Sequence, residues 1–154
     1  MALPPNTIIL WTRPDSTVVA TQVLDLNVDI DAEIAKIQAD NPDLTYRLTT
    51  TLDEYPISIN PFYPALVLDD DNQLAYYMVK AREIFRQGLR IRREPVLAKL
   101  DIEYQRALEA GNKTLQQEIV AKKNILRDCT DDPAIAAAKD LNDLMRAIPE
   151  LLAD

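Results

Sequence analysis

The C-terminal half of the fold is decided by residues 74 to 127, which read LAYYMVKAREIFRQGLRIRREPVLAKLDIEYQRALEAGNKTLQQEIVAKKNILR. Apolar residues recur in this stretch every three or four positions, as in amphipathic helices. A first helix is expected from Leu74, with Asn72 as its N-cap. Pro95 lacks an amide hydrogen and disfavours helical geometry in the residue before it, so this helix should end or kink at Glu94.

Two further helices are expected after Pro95. Gly111 suits the left-handed position that follows a helix C-terminus, so the second helix should end there. Asn112 or Thr114 can cap the third helix. Because so short a link joins neighbouring helices, the stretch predicts an antiparallel helical hairpin in two or three pieces. The predicted core positions of the second and third helices are Leu97, Leu100, Tyr104, Ala107, Leu108, Leu115, Ile119, Ile125 and Leu126.

Four arginines form a basic stripe beside the core face of the first helix. Arg82, Arg86, Arg90 and Arg93 are spaced by four, four and three residues, which places them on one side of a helix. Two interpretations remain open. In the first, the stripe is exposed to solvent or pairs with acidic residues of the same chain. In the second, it binds an anionic surface of a partner protein.

Two aliphatic residues do not fit the core of a hairpin. Ile102 and Val120 project away from the apolar faces of their helices, one on each arm. Isolated exposed aliphatic residues are ordinary in proteins. The alternative is that the hairpin packs on a second surface, supplied by the N-terminal half, another copy of the chain or another protein. The small core of a lone hairpin favours this alternative.

The N-terminal half predicts a small β-rich domain with one helix. The expected strands are Thr7 to Thr12, Thr17 to Leu26, Leu44 to Thr49 and Leu66 to Leu68, and the expected helix is Asn27 to Asp40. Residues 53–66 carry prolines and aromatic residues and indicate an ordered, irregular linker. After the hairpin, Asp132 and Asp140 suit the N-caps of short terminal helices. The sequence thus predicts an α+β fold, with an N-terminal α+β docking domain over residues 1–68 and a C-terminal helical hairpin region over residues 69–154.

Charge is unevenly distributed along the chain. Residues 1–77 hold 3 basic and 12 acidic side chains, residues 78–127 hold 12 and 6, and residues 128–154 hold 2 and 7. The basic hairpin between acidic flanks favours docking of the flanks on the hairpin or complementary contacts between copies. The net charge of −8 would repel phosphates, which disfavours nucleic-acid binding.

The residue composition offers little for catalysis or metal binding. The chain has no histidine, two glycines and one cysteine, so catalytic triads, the usual zinc sites and glycine-rich phosphate loops are not expected. The acidic run Asp69 to Asp71 lacks the spacing of a calcium loop. We therefore predict no enzyme activity, catalytic residue, metal, cofactor or small-molecule substrate. No signal peptide or membrane span is expected either.

The ordered pattern of residues 74–148 supports one family resemblance. Its parts are Lys80-Ala81-Arg82-x-Ile84, Arg90-x-x-Arg93-x-Pro95-x-Leu97, Leu100-Asp101, Arg106-Ala107-x-Glu109-x-Gly111-Asn112, Ile119, Lys123, Leu126-Arg127-Asp128 and Asp132-Pro133-x-Ile135. This run resembles a family of small tail-associated proteins of bacteriophages and prophages. The resemblance implies a structural component of the tail fibre or baseplate region that binds other tail proteins, or a chaperone for tail-fibre assembly. It also implies synthesis in the host cytoplasm, a place in the virion tail and contact with tail proteins or further copies of the chain.

Overall fold

The computed structural model describes residues 1–57 and 60–153, and the chain divides into two compact units, Met1–Tyr77 and Met78–Asp154. The α+β fold is confirmed, with a small antiparallel sheet in the first unit and a helical second unit. Residues 58 and 59 of the predicted linker, and Asp154 of the predicted hairpin region, lie outside the described residues. The division between units falls at residues 77 and 78, later than the boundary expected at residues 68 and 69.

Strand β1 (Thr7–Thr12) is the centre of the first unit. It lies between β2 (Val18–Gln22) and β3 (Thr45–Thr51) in an antiparallel sheet of order β2-β1-β3. All six residues of β1 are buried, as expected for a nearly continuous apolar strand covered on both faces. The first two expected strands are both present and pair with each other, although β2 ends before the predicted Leu26.

The two faces of β1 contribute to different cores. Ile8 and Leu10 pack on one face with β4 (Leu66–Leu68). Ile9 and Trp11 pack on the other, against helix α1 (Ile30–Asp40). This alternation follows from the two-residue period of a strand. It buries the single tryptophan of the chain, whose Nε1 donates a hydrogen bond to the Thr21 hydroxyl at 3.2 Å.

The expected helix start at Leu74 is wrong. Leu74–Tyr76 forms strand β5, which pairs antiparallel with β4, and Asn72 lies in the intervening turn with a φ of 59° rather than at an N-cap. The Asp69 carboxylate stabilises this turn by accepting hydrogen bonds from the amides of Asp71 and Gln73, at 2.9 and 2.8 Å. Helical spacing misled here because Leu74 and Tyr76 also satisfy strand alternation and pack beside Leu66.

The first two helices of the predicted hairpin are a single helix. Helix α2 runs from Met78 to Glu109 through Pro95. An internal proline costs about 3 kcal/mol, but its ring is exposed here, and Leu89 and Leu100 are buried on either side of it. This packing carries the helix past the proline. The predicted end is confirmed: Gly111 has a φ of 65°, and the Asn112 side chain accepts from the Leu115 amide, capping α3 (Lys113–Asp128).

The second unit extends beyond a simple hairpin because its two long helices differ in length. At about 1.5 Å per residue, α2 spans about 48 Å and α3 about 24 Å. The antiparallel α3 covers only the C-terminal part of α2. The N-terminal part is covered by the returning chain, which comprises a 3₁₀ turn (Cys129–Asp131), α4 (Pro133–Ala137) and α5 (Leu141–Arg146). Asp132 and Asp140 cap α4 and α5, as predicted.

The two-sided burial of β1 generates a stability prediction. Leu10→Ala should lower the free energy of unfolding of the first unit by about 2–5 kcal/mol, because it leaves a cavity beside a fully buried strand. Leu24→Ala is the matched control, since Leu24 is 86% exposed and its truncation should change stability by less than about 0.5 kcal/mol. Trp11 fluorescence in urea measures both, and equal midpoints for the two variants would contradict the prediction.

Candidate partner-binding surface

Arg93 caps the C-terminus of α3. Its Nη1 donates hydrogen bonds to the carbonyl oxygens of Leu126 and Arg127, at 3.1 and 2.7 Å. Carbonyls in the last turn of a helix lack the amide partners that interior carbonyls have, and the helix dipole gives this end a partial negative charge. The Arg93 guanidinium therefore donates hydrogen bonds to the unpaired carbonyls and also places a positive charge beside the negative end of the helix dipole. Arg93 joins the middle of α2 to the point where the chain leaves α3.

Arg82 and Arg86 bind the returning chain in the same way. Arg86 Nε donates to the carbonyl of Thr130 at 3.2 Å, and Arg82 Nη2 donates to the carbonyl of Ala138 at 2.8 Å. Thr130 lies in the 3₁₀ turn, and Ala138 is the C-cap of α4. Three members of the predicted basic stripe thus make contacts within the chain. Their acceptors are backbone carbonyls and not the acidic side chains that the sequence suggested.

Arg90 differs from the other three arginines of the stripe. It is exposed, and its hydrogen bond runs to the Gln87 side chain on its own helix, at 3.4 Å. Because it supports no distant carbonyl among the described residues, its charge stays accessible to an anionic partner. Binding of a partner by the stripe remains a prediction, and Arg90 is its best placed member.

Ile102 and Val120 are both exposed, at 56% and 41%. Val120 lines a shallow groove of about 490 Å³ together with Tyr104 and polar residues of α3. At the edge of this region, the Lys123 amine lies 5.6 Å from the centre of the Tyr104 ring and also pairs with Asp101. The lining of the groove also includes Lys113, so the groove combines an aliphatic side chain, an aromatic ring and a cation, a mixture that suits contact with a protein surface.

Other exposed aliphatic residues were not recognised from the sequence. Leu108, Leu115 and Ile125 were expected in the core of the hairpin, but each is at least 40% exposed. Within α3 the buried side chains are Ile119 and Leu126, so its core-facing stripe is narrower than its apolar pattern suggests. Ile91, which is 63% exposed, was missed altogether. The signal that could have found it is its spacing of seven residues from Ile84, an interval that returns to the same side of a helix.

The acidic and sulfur-containing side chains of the described residues were compared with the requirements of a metal centre. Among residues 1–57 and 60–153, no group of three or more Cys, Asp or Glu side chains could hold a metal ion. Cys129 is buried, and its Sγ lies 3.1 Å from the Leu126 carbonyl, to which it can donate. Within the described part of the chain, no helix is both long and apolar enough to cross a membrane. The candidate surface is defined by the exposed aliphatic and cationic side chains of α2 and α3.

The contrast between Arg93 and Arg90 can be measured. Arg93→Ala should lower the free energy of unfolding of the second unit by about 1–3 kcal/mol, because the terminal carbonyls of α3 lose a charged donor. Arg90→Ala is the matched control on the same helix and should change stability by less than about 0.5 kcal/mol. Urea unfolding followed by circular dichroism tests both, and equal losses would show that Arg93 does not act as a cap.

Comparison with known proteins identifies no relative. No protein-family model, curated protein or solved structure matches this chain. The resemblance of residues 74–148 to phage tail proteins therefore remains a prediction from the sequence. A function has to be proposed from that resemblance together with the exposed side chains of the second unit.

Proposed function

We propose that this chain is a non-enzymatic bacteriophage tail protein, a structural component of the fibre or baseplate region that binds other tail proteins. The observation that carries the proposal is the number of large aliphatic residues exposed on α2 and α3. Those nearest the groove are Leu108 on α2 and Leu115, Val120 and Ile125 on α3. The family resemblance supplies the class of partner.

Helix α3 illustrates why a partner is expected. It has 16 residues and leaves Leu115, Val120 and Ile125 at least 40% exposed. Complete burial of a fully exposed aliphatic side chain is worth about 1.5–3 kcal/mol, so these three residues, about half exposed, together offer binding energy of a similar size. Single exposed aliphatic residues need no explanation, but several on one short helix favour a protein contact.

The charge of the second unit indicates what kind of surface its partner presents. Residues 78–127 carry 12 basic and 6 acidic side chains, and Arg90 is exposed among them. An acidic surface with apolar patches would complement this helical face, since opposite charges steer association and disfavour wrong partners. We expect such a surface on a tail-fibre or baseplate protein of the same phage.

A chaperone for tail-fibre assembly is the alternative. The same exposed aliphatic residues could bind a fibre chain before it completes folding, because apolar segments are accessible at that stage. The two roles differ in duration of contact, since a structural component stays in the virion and a departing chaperone does not. They require the same binding surface on this chain.

Quantitative mass spectrometry of purified virions tests the proposed role. A reproducible copy number, in a fixed ratio to the fibre protein, is the result expected for a structural component. Absence from virions combined with co-purification alongside newly made fibre would instead support the chaperone. Absence from both preparations would overturn the assignment to the tail.

Val120 provides a test at the level of one residue. Val120→Glu should weaken binding to the purified fibre or baseplate protein by at least about 10-fold while the helical circular dichroism is retained, because the side chain lies on an exposed groove. Thr114→Glu adds the same charge to α3 at an exposed polar position outside the groove, and should have a smaller effect. Unchanged binding by Val120→Glu would remove this groove from the proposed interface.

A further inference from the structure

The outer side of α2 carries a second apolar stripe. Its members alternate in spacings of four and three residues, which is the repeat of a coiled-coil seam. They are Ile84, Gly88, Ile91, Pro95, Ala98 and Ile102. We call this set the outer seam. It extends over about 27 Å of the helix, at about 1.5 Å per residue.

The outer seam lies away from the core of its own unit. Successive residues of a helix are rotated by about 100°, which puts Ile91 on the side of α2 opposite Leu89 and Leu100. Those two leucines are buried, whereas Ile91 and Ile102 are 63% and 56% exposed. Pro95 and Ala98 are exposed as well. The packing of α3 and the returning chain therefore leaves the seam open to a further helix.

Gly88 is unexplained by the packing of its own unit. Among the described residues, no atom beyond its own helix backbone and chain neighbours lies within 4 Å of where a Cβ would be. Glycine inside a helix lowers its stability relative to alanine, so an open position would favour the larger residue. In a coiled-coil seam, by contrast, the missing side chain lets the backbone of a partner helix approach closely.

The charges beside the outer seam are sorted by sign. In heptad notation, position a is held by Gly88, Pro95 and Ile102, and position d by Ile84, Ile91 and Ala98. On one edge, Arg92 and Lys99 hold the e positions that follow Ile91 and Ala98, and Arg106 holds the next e position, while the e position after Ile84 is the buried Phe85. On the other edge, Glu94 and Asp101 hold the g positions that precede Pro95 and Ile102, and the neutral Gln87 precedes Gly88. Asp101 pairs with Lys123, but its side chain is still 61% exposed and can accept from a second cation.

This pattern selects an orientation for an identical partner. In a parallel pair in register, each g residue faces the e residue five positions later on the other helix. Glu94 then meets Lys99 of the second copy, and Asp101 meets Arg106 of the second copy, each twice by symmetry. In an antiparallel pair like edges meet, so basic residues would face basic residues. The charges are thus complementary to the same helix in parallel orientation.

We propose that the outer seam is a self-association surface, through which α2 pairs with α2 of a second copy of this chain as a parallel coiled coil in register. The proposal goes beyond the tail function and does not rest on it, because it needs only the side chains of α2. The surface used for a tail protein by Val120 lies on α3, so the two contacts are separable. Each can be disrupted by its own substitution.

Analytical ultracentrifugation of the full chain over a concentration series tests the pairing. The wild type should move from the 17.4 kDa monomer towards twice that mass as the concentration rises. Ile91→Glu combined with Ile102→Glu should raise the dissociation constant by about 100-fold, since both seam positions then carry a charge. Both side chains are exposed in the monomer, so its helical circular dichroism should be preserved.

The matched control for the seam variant is Val120→Glu, which places a charge at an exposed aliphatic position of α3 and should leave the dimer intact. A wild-type chain that stays monomeric throughout the series would overturn the proposal. So would a dimer that is unaffected by the paired seam substitutions. Loss of fibre binding in Val120→Glu with retention of the dimer would separate the two interfaces.

The orientation is tested by exchanging charges across the seam. Glu94→Lys should weaken the dimer by about 10-fold, because lysine then faces Lys99 of the second copy twice. Adding Lys99→Glu should restore the wild-type dissociation constant. Residues 94 and 99 lie on opposite edges of the seam within one helix, so this rescue can arise only between helices. Tighter dimerisation by Glu94→Lys alone would indicate antiparallel pairing and overturn the proposal.

Discussion

The hydrogen bonds from α2 arginines to carbonyls of the returning chain are the constraint on which the second unit depends. Helix α3 is half as long as α2 and leaves the first half of α2 uncovered. Arg93 binds the end of α3, and Arg86 and Arg82 bind carbonyls farther along the chain. These bonds satisfy backbone groups that would otherwise lose hydrogen bonds on burial, and they direct the terminal segment along α2.

This arrangement determines which sides of the second unit remain accessible. Because α3 and the terminal segment pack on the same side of α2, the opposite side is left with its own apolar stripe. Helix α3 likewise buries Ile119 and Leu126 and leaves other aliphatic residues exposed. The proposed contacts therefore use two separate surfaces, one on the outer side of α2 and one on α3. A protein with two such surfaces can bind a copy of itself and a different partner together.

The candidate site was predicted only in part from the sequence. Exposure of Ile102 and Val120 follows from their positions relative to neighbouring apolar residues on one helix, which is a local property. The four arginines were correctly placed on one side of a helix, but the acceptors of Arg82, Arg86 and Arg93 were not predictable. Those acceptors are backbone carbonyls 33 to 56 residues away, and carbonyls carry no side-chain signal in a sequence.

By itself the sequence determined the α+β class, the strand β1 and the caps formed by Asn112, Asp132 and Asp140. These features depend on residues a few positions apart, whose conformational preferences act locally. Only the tertiary structure decided that Leu74–Tyr76 is a strand and that α2 continues through Pro95. In both cases packing against distant residues outweighs the local preference, because burial of several apolar side chains is worth more than a helix propensity or one hydrogen bond.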